Sequence, residues 1–335
     1  MMRLGHSAPG MSRRSFVRLA TGVPFALQGI AQNVNRNSMK NGIEVLHTRV
    51  FAYARNGGNP CPVIPFANGL TDGEMQMIAR KFGLDTVFIL SPTVKTADIR
   101  LRYFVPDHEM GVSGHATVAA ITVARLESIW KSDQVRIETN TGLFEAELTE
   151  KKNEFAVTLA QNLPVWDIAV DPSRVAGVLK LDPKRVVTTG GPVQSVSVSR
   201  AKLLIPLDDS TTLNSLEPDY DALWQLCDEL KVSGFYPFTR KTDKRDAHAE
   251  ARQFPLRAGF PEDAATGVAA GALGAYLATY DLKCQTGSHS FRIAQGFAMR
   301  APSLIEALVE CAGGKISRTA IRGTARIVGR ERIAV

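Results

Sequence analysis

The sequence predicts a duplicated fold of mixed α+β structure, and three features carry that reading. Alternating strand patterns and helical spacings follow one another over residues 43–159. Two stretches, Ala116–Ala124 and Val268–Leu277, are almost wholly small and apolar, so each is a helix buried nearly all round. The residues leading into those helices repeat. The first copy is Arg102-Tyr-Phe104, then Glu109 through Ser113-Gly114; the second is Arg252-Gln-Phe254, then Glu262 through Thr266-Gly267. Each copy sets a glutamate five residues before its glycine and a hydroxyl residue just before it. A duplicated fold follows, with the boundary somewhere in 160–180.

The first half can be read element by element. Ile43–Tyr53 is a strand, and Asn56-Gly57-Gly58-Asn59-Pro60 is the turn after it. Thr71 caps a helix whose first turn carries Asp72 and Glu74 and whose apolar face is Met75, Ile78, Ala79 and Phe82. Gly83 ends it in the left-handed conformation. A strand follows at Thr86–Leu90, and polar–apolar alternation marks another at Asp98–Val105, which Pro106 stops. Further strand candidates are 135–139, 144–149 and 154–159. Arg240–Glu250 reads as a charge-rich exposed loop. Arg318, Arg322, Arg326 and Arg330 read as a solvated strand face, since Gly323 and Gly329 disfavour a helix there.

Composition excludes several function classes. A formal charge of +7 suggests nucleic acid until it is located. Residues 1–42 hold six bases and no acid, and residues 315–332 hold six bases and one acid, so the middle of the chain is slightly acidic. Aromatic residues make up 7%, too few for a base-stacking platform. Cys61, Cys227, Cys284 and Cys311 stand far apart without a CxxC, against a structural zinc site or a disulfide scaffold, though one bridge stays open. No GxGxxG, Walker loop or HExxH appears, so neither a metal nor a nucleotide cofactor is expected.

Residues 1–42 are a leader or an extension. Arg13-Arg14 precedes a mildly apolar run, Leu19–Ala31, that ends in Gly29-Ile30-Ala31. This resembles a twin-arginine export signal. The competing reading is an upstream extension with Met39 as the start. The run is too short and polar to span a bilayer, and no other segment is a membrane candidate.

The repeated turn has chemistry of its own. A helix that begins at a glycine presents free backbone N–H groups and the positive end of its dipole. Two such starts facing one another would cradle a carboxylate. The bland alternative is that both glycines simply permit close packing.

Gly58-Asn59-Pro60-Cys-Pro-Val63, Asp85-Thr-Val-Phe88, Arg102-Tyr-Phe-Val-Pro106, Ser113-Gly114-His115-Ala-Thr117 and Glu262-Asp-Ala-Ala-Thr-Gly267 occur in the order seen in the PhzF-like phenazine-biosynthesis isomerase family, which this sequence resembles over roughly residues 43–333. The resemblance implies an α+β fold of the diaminopimelate-epimerase type. It has two pseudo-symmetric domains, 43–165 and 166–335, each a curled, mostly antiparallel sheet around a central helix, and the last strand can return to the first. The site lies in the cleft between them. It also implies a homodimer, a small carboxylic acid as substrate, no cofactor and no nucleic-acid partner. Location stays open, cytoplasmic by resemblance and periplasmic if the leader is an export signal.

Carried over by position, the resemblance makes Asp85 the general base and then acid, with His115 and Asp263 orienting the substrate. Asn59, Ser113, Gly114, Thr266, Gly267 and Val268 would line the binding site. Two positions depart from the family. Asp85 stands where its best-known members have glutamate, a loss of roughly 1.5 Å of reach. Val268 replaces a serine, keeping the backbone N–H and losing the hydroxyl. Racemases of this fold place paired thiols at the positions of Ser113 and Thr266, and hydroxyls cannot replace thiols as bases.

Read without the family, each residue has a plainer role. Asp85 would be a polar turn residue after Gly83, His115 a buried partner of a helix start, and Asp263 a helix cap. Apolar Leu84, Val87 and Phe88 would nonetheless raise the pKa of Asp85. The expected function is cofactor-independent proton transfer on a small cyclic or amino-acid-like acid of the trans-2,3-dihydro-3-hydroxyanthranilate type. The alternatives are a thiol-independent epimerase and a non-catalytic acid-binding protein.

Overall fold

A computed structural model describes residues 42–334 apart from 152 and 153. Of the expected leader, residues 1–41 lie outside the described residues. The first half contains β1 (Ile43–Val50), β2 (Asn59–Ile64), α1 (Asp72–Phe82), β3 (Thr86–Leu90), β4 (Ile99–Phe104), β5 (Glu109–Met110), α2 (Gly114–Leu126), β6 (Gln134–Thr139), β7 (Gly142–Lys151) and β8 (Glu154–Gln161). The second contains β9 (Val165–Ala169), α3 (Pro172–Val178), β10 (Gln194–Ser197), β11 (Ala201–Leu207), α4 (Ser210–Asn214), α5 (Tyr220–Leu230), β12 (Gly234–Thr239), β13 (Ala249–Ala251), β14 (Phe254–Pro255), α6 (Gly267–Tyr280), β15 (Gly287–Gln295) and β16 (Ser303–Ala312). The chain then runs into one long strand, β17 (Lys315–Ile333).

Local chemistry sets these boundaries. At α1, Thr71 and Glu74 form a reciprocal capping box, and Gly83 closes the helix at φ 63°. The α2 and α6 helices begin at the two repeated glycines and are buried over their first eleven and twelve residues. Their small side chains let each sit inside a curled sheet with no polar face.

The pairing order repeats as the sequence does. In the first half β1–β2 is antiparallel, β2–β3 parallel, β3–β4 antiparallel, β4–β6 parallel, and β6–β7 and β7–β8 antiparallel. The second half follows the same alternation: β10–β11 antiparallel, β11–β12 parallel, β12–β13 antiparallel, β13–β15 parallel, then β15–β16 and β16–β17 antiparallel. The last strand also pairs with β8 and with β1, which closes the first half around α2. One large core contains α2, α6 and the sheet faces they cover, while smaller cores lie under α1 and under α3 to α5.

One expectation needs correction. Arg240–Glu250 is an exposed loop only as far as His248, because Ala249 starts β13 and Glu250 is fully buried. Ser210, Asn214 and Thr242 hydrogen-bond the Glu250 carboxylate and make that burial tolerable. On β17, Arg318 pairs with Glu310, Arg322 with Glu306, and Arg330 with Glu44 and Glu127. Three of the six bases in 315–332 are thereby paired with acids on the protein's own surface.

Candidate active site

The two central helices meet at their N-termini. A Cβ built on Gly114 would lie 3.6 Å from the Gly267 Cα and 3.8 Å from the Val268 amide nitrogen. A Cβ on Gly267 would collide with the Ile321 side chain. A side chain at Gly267 would have to displace Ile321, and the close approach of the two glycines brings both dipole ends to one place. The caps set these two helices apart. The helices α1, α3, α4 and α5 are capped by the side chains of Thr71, Asp171, Asp209 and Asp219. At α2 and α6 neither Ser113 nor Thr266 makes a side-chain cap bond, and neither first turn carries an acid. First-turn N–H donors there remain available to an anion.

Around α2 the polar groups are sparsely partnered. Asp85, between the α1 cap and β3, is 9% exposed, and His115 is 5% exposed. The Ser113 hydroxyl donates to Asp85 Oδ2 at 3.2 Å and lies 3.3 Å from His115 Nδ1. His115 Nε2 stands 3.7 Å from Asp85 Oδ2. Asp85 Oδ1 and His115 Nε2 are buried and have no hydrogen-bond partner among the described residues. Burial pushes the Asp85 carboxyl above its ordinary range, the Asp263 charge adds to this, and His115, Ser113 and Arg200 oppose it.

Around α6 the Asp263 carboxylate itself is well partnered, although the buried Gln253 side-chain amide, whose backbone pairs with Asp263, has no partner among the described residues. Asn59, reaching across from β2, donates to Asp263 Oδ1 at 2.6 Å and to the Ala265 carbonyl at 2.9 Å. Thr266 Oγ1 donates to Asp263 Oδ2 at 2.5 Å. Gln295, at the end of β15, donates to the Asp263 carbonyl at 2.7 Å and accepts from the Thr266 N–H at 3.2 Å and from the Tyr236 hydroxyl at 2.9 Å. Val268 is buried with its apolar side chain, and its amide nitrogen faces the start of α2.

The repeated Arg and Glu form matching pairs behind the two turns. Arg102 forks onto Glu109 with two 2.7 Å bonds and stacks over Phe104. Arg252 forks onto Glu262 at 2.9 and 2.8 Å and stacks over Phe254. Every residue expected at the site from the sequence thus stands at or beside the meeting of the two helices. Sequence reasoning missed Gln295, Tyr236, Arg200 and Lys202, which carry no motif. Lys202 is 2% exposed, donates to the Ser233 carbonyl at 3.3 Å, and is pushed down to about 7 by burial. Two surface cavities of about 210 and 500 Å³ are lined by other residues, mainly on β7, β8, β16 and β17.

Among the described residues no group of three or more His, Cys, Asp or Glu could hold a metal ion, and no helix is long and apolar enough to cross a membrane. Comparison with known proteins places the chain. The family model for phenazine biosynthesis-like proteins matches residues 48–330. An uncharacterised isomerase of Clostridium acetobutylicum is 30% identical over 282 residues, 83% of this chain and 93% of its own. The trans-2,3-dihydro-3-hydroxyanthranilate isomerase of Pseudomonas aeruginosa is 28% identical, across 79% of this chain and 90% of its own. The crystal structure of a PhzF-family phenazine biosynthesis protein from Bacillus anthracis superposes with a TM-score of 0.80 at 28% identity, covering 88% of this chain and 99% of that one. With the same α+β fold and a family match across most of its length, the chain belongs to the phenazine biosynthesis-like family and is an isomerase.

Proposed function

We propose that this isomerase moves a proton between two carbons of a small cyclic or amino-acid-like carboxylic acid, with Asp85 as the base that takes the proton and the acid that returns it. The observation that carries the reading is the pair of buried, unpartnered atoms, Asp85 Oδ1 and His115 Nε2, beside two uncapped helix starts. Burying polar atoms without partners is costly, and a bound substrate would satisfy them. A carboxyl raised above its usual range is suited to accept and release a proton near neutral pH.

Within this reading the helix starts at Gly114 and Gly267 hold the substrate carboxylate, which leaves the Asp85 oxygen facing a ring or side-chain carbon. Ser113 links base and histidine. When Asp85 is ionised, Ser113 donates to it and His115 Nδ1–H donates to Ser113, so His115 Nε2 is an acceptor. When Asp85 Oδ1 takes the proton, Oδ2 still accepts from Ser113, so the chain keeps its sense and His115 Nε2 stays an acceptor. His115 would thus accept a hydrogen bond from a substrate N–H or O–H and orient it while Asp85 exchanges the proton. Asp263, fixed by Asn59 and Thr266, orients the substrate from the other half.

The Pseudomonas relative supports trans-2,3-dihydro-3-hydroxyanthranilate as the first substrate to try. The test is turnover in D2O of that acid and a panel of cyclic amino and hydroxy acids, read by mass spectrometry. Asp85→Asn is expected to lower deuterium incorporation by roughly 10²–10⁴-fold while ligand affinity stays within about tenfold. An Asn variant as active as the parent would remove Asp85 from this role.

A further inference from the structure

One charged group near the site has no part in the proton transfer. Arg200 stands in the turn between β10 and β11, half-buried, and so approaches from the second half. Its Nη1 reaches the sulfur of Met110 at 3.9 Å, and Met110 lies three residues before Ser113. Its Nε is buried and meets no acceptor among the described residues, and the neighbouring Ser199 hydroxyl is likewise buried without a partner. The guanidinium charge also acts on Asp85, as the weakest of the influences there.

Other arginines drawn in from solvent find oxygen acceptors, the Gly58 carbonyl for Arg49, the Arg55 carbonyl for Arg326, and elsewhere a carboxylate fork. Arg102 forks onto Glu109, Arg252 onto Glu262 and Arg240 onto Asp281. A guanidinium presents five donors in one plane, accepts nothing and stays charged at any working pH. Leaving one half-buried against a thioether is unfavourable unless an anion arrives to complete it. Asp85 and Asp263 already place two acids at the site, so a substrate with more than one negative charge also needs this cation to enter.

We propose that Arg200 receives a second carboxylate of the substrate, so that the natural substrate is a diacid with one carboxylate at the helix starts and the other on the Arg200 fork. This rests on the proposed acid/base reading for the place of the first carboxylate. It also separates this chain's substrate from trans-2,3-dihydro-3-hydroxyanthranilate, which carries one carboxylate. Arg200 is a specificity-determining binding residue here and takes no part in proton transfer.

The experiment is isothermal titration of the full chain with benzoate and with phthalate, isophthalate and terephthalate, which vary the spacing of two carboxylates on an inert ring. The parent protein is expected to bind at least one diacid about tenfold or more tighter than benzoate. Arg200→Gln should bring that diacid to within about threefold of benzoate and leave benzoate itself nearly unchanged, with Arg200→Lys in between. Equal affinity for benzoate and every diacid in the parent protein overturns the proposal without any variant. So does a diacid preference that survives Arg200→Gln. The two readings fail separately. Arg200-dependent diacid binding with no Asp85-dependent deuterium exchange removes the proton-transfer reading alone. Exchange with no diacid preference removes only the Arg200 assignment.

Discussion

At the start of α6, Asp263 accepts hydrogen bonds from Asn59 and Thr266, and Gln295 ties the Asp263 carbonyl, the Thr266 amide and the Tyr236 hydroxyl into one network. At the start of α2, Asp85 has a single hydrogen bond, from Ser113, and two buried polar atoms face no partner. The sequence repeat makes these turns look equivalent, and in both a forked arginine–glutamate pair stands behind the glycine. The copies differ in what is left unsatisfied. A filled network fixes geometry, whereas an unfilled one retains a capacity to bind and to exchange protons. Duplication has supplied two similar scaffolds. In one the carboxylate is held on both oxygens, and the proposed chemistry falls to the other, whose carboxylate is not.

That contrast can be broken first at the ion pairs. Glu262→Gln leaves Arg252, which is 8% exposed, without a carboxylate and held by the Leu213 and Leu216 carbonyls, and is expected to cost roughly 3–5 kcal/mol. Glu109→Gln should cost about half as much, because Arg102 keeps a second carboxylate in Asp72 at 2.6 Å. Urea unfolding of the two variants side by side measures the difference, and equal costs would show that the copies carry equal structural weight. Next comes Gln295→Leu, which leaves the Asp263 carbonyl, the Thr266 amide and the Tyr236 hydroxyl without their partner. The expected loss is about 2–3 kcal/mol by the same measurement.

The smallest effect has the opposite sign. Burial raises Asp85, so the folded protein holds that proton more tightly than the unfolded chain does. Its stabilising contribution is complete below the ordinary carboxylate range and is withdrawn as pH rises through the raised value. Asp85→Asn should therefore stabilise the fold at neutral and alkaline pH, by on the order of 1 kcal/mol, with the gain vanishing toward acid. A denaturation midpoint that falls in the Asn variant at neutral pH would mean that the α2 start is as well satisfied as its counterpart.

Much of this was legible before any coordinates because the signals are local. Thr71 and Gly83 bound α1 by capping chemistry, and the small-residue runs after Gly114 and Gly267 can only be central helices. The repeated Arg, Phe and Glu were visible as letters, but their pairing was not, since a spacing of seven residues in one copy and ten in the other matches no standard local contact. No strand from β9 to β16 is predicted from the sequence: those up to β14 are seven residues or fewer and α3 to α5 cover a separate core, while the longer β15 and β16 escape notice despite the alternating burial of β16. Gln295, Arg200 and Lys202 could not be found from sequence at all. Gln295 matters only because the end of a distant strand brings it to the α6 start, and register across a sheet is a property of the whole chain.

The nineteen-residue β17 also sets the order of assembly. Ile43 lies opposite Ile333, so the first barrel stays open until its last stave has been made, about 290 residues later. At ~5–20 residues per second of synthesis, that wait is roughly a quarter of a minute to a minute. Throughout it β1 presents an unpaired edge, and from its own synthesis onward so does β8, the kind of surface that recruits other strands. Pairing across such a sequence distance is intrinsically slow even once synthesis ends. The half proposed to carry the chemistry is therefore the first to be made and the last to be sealed.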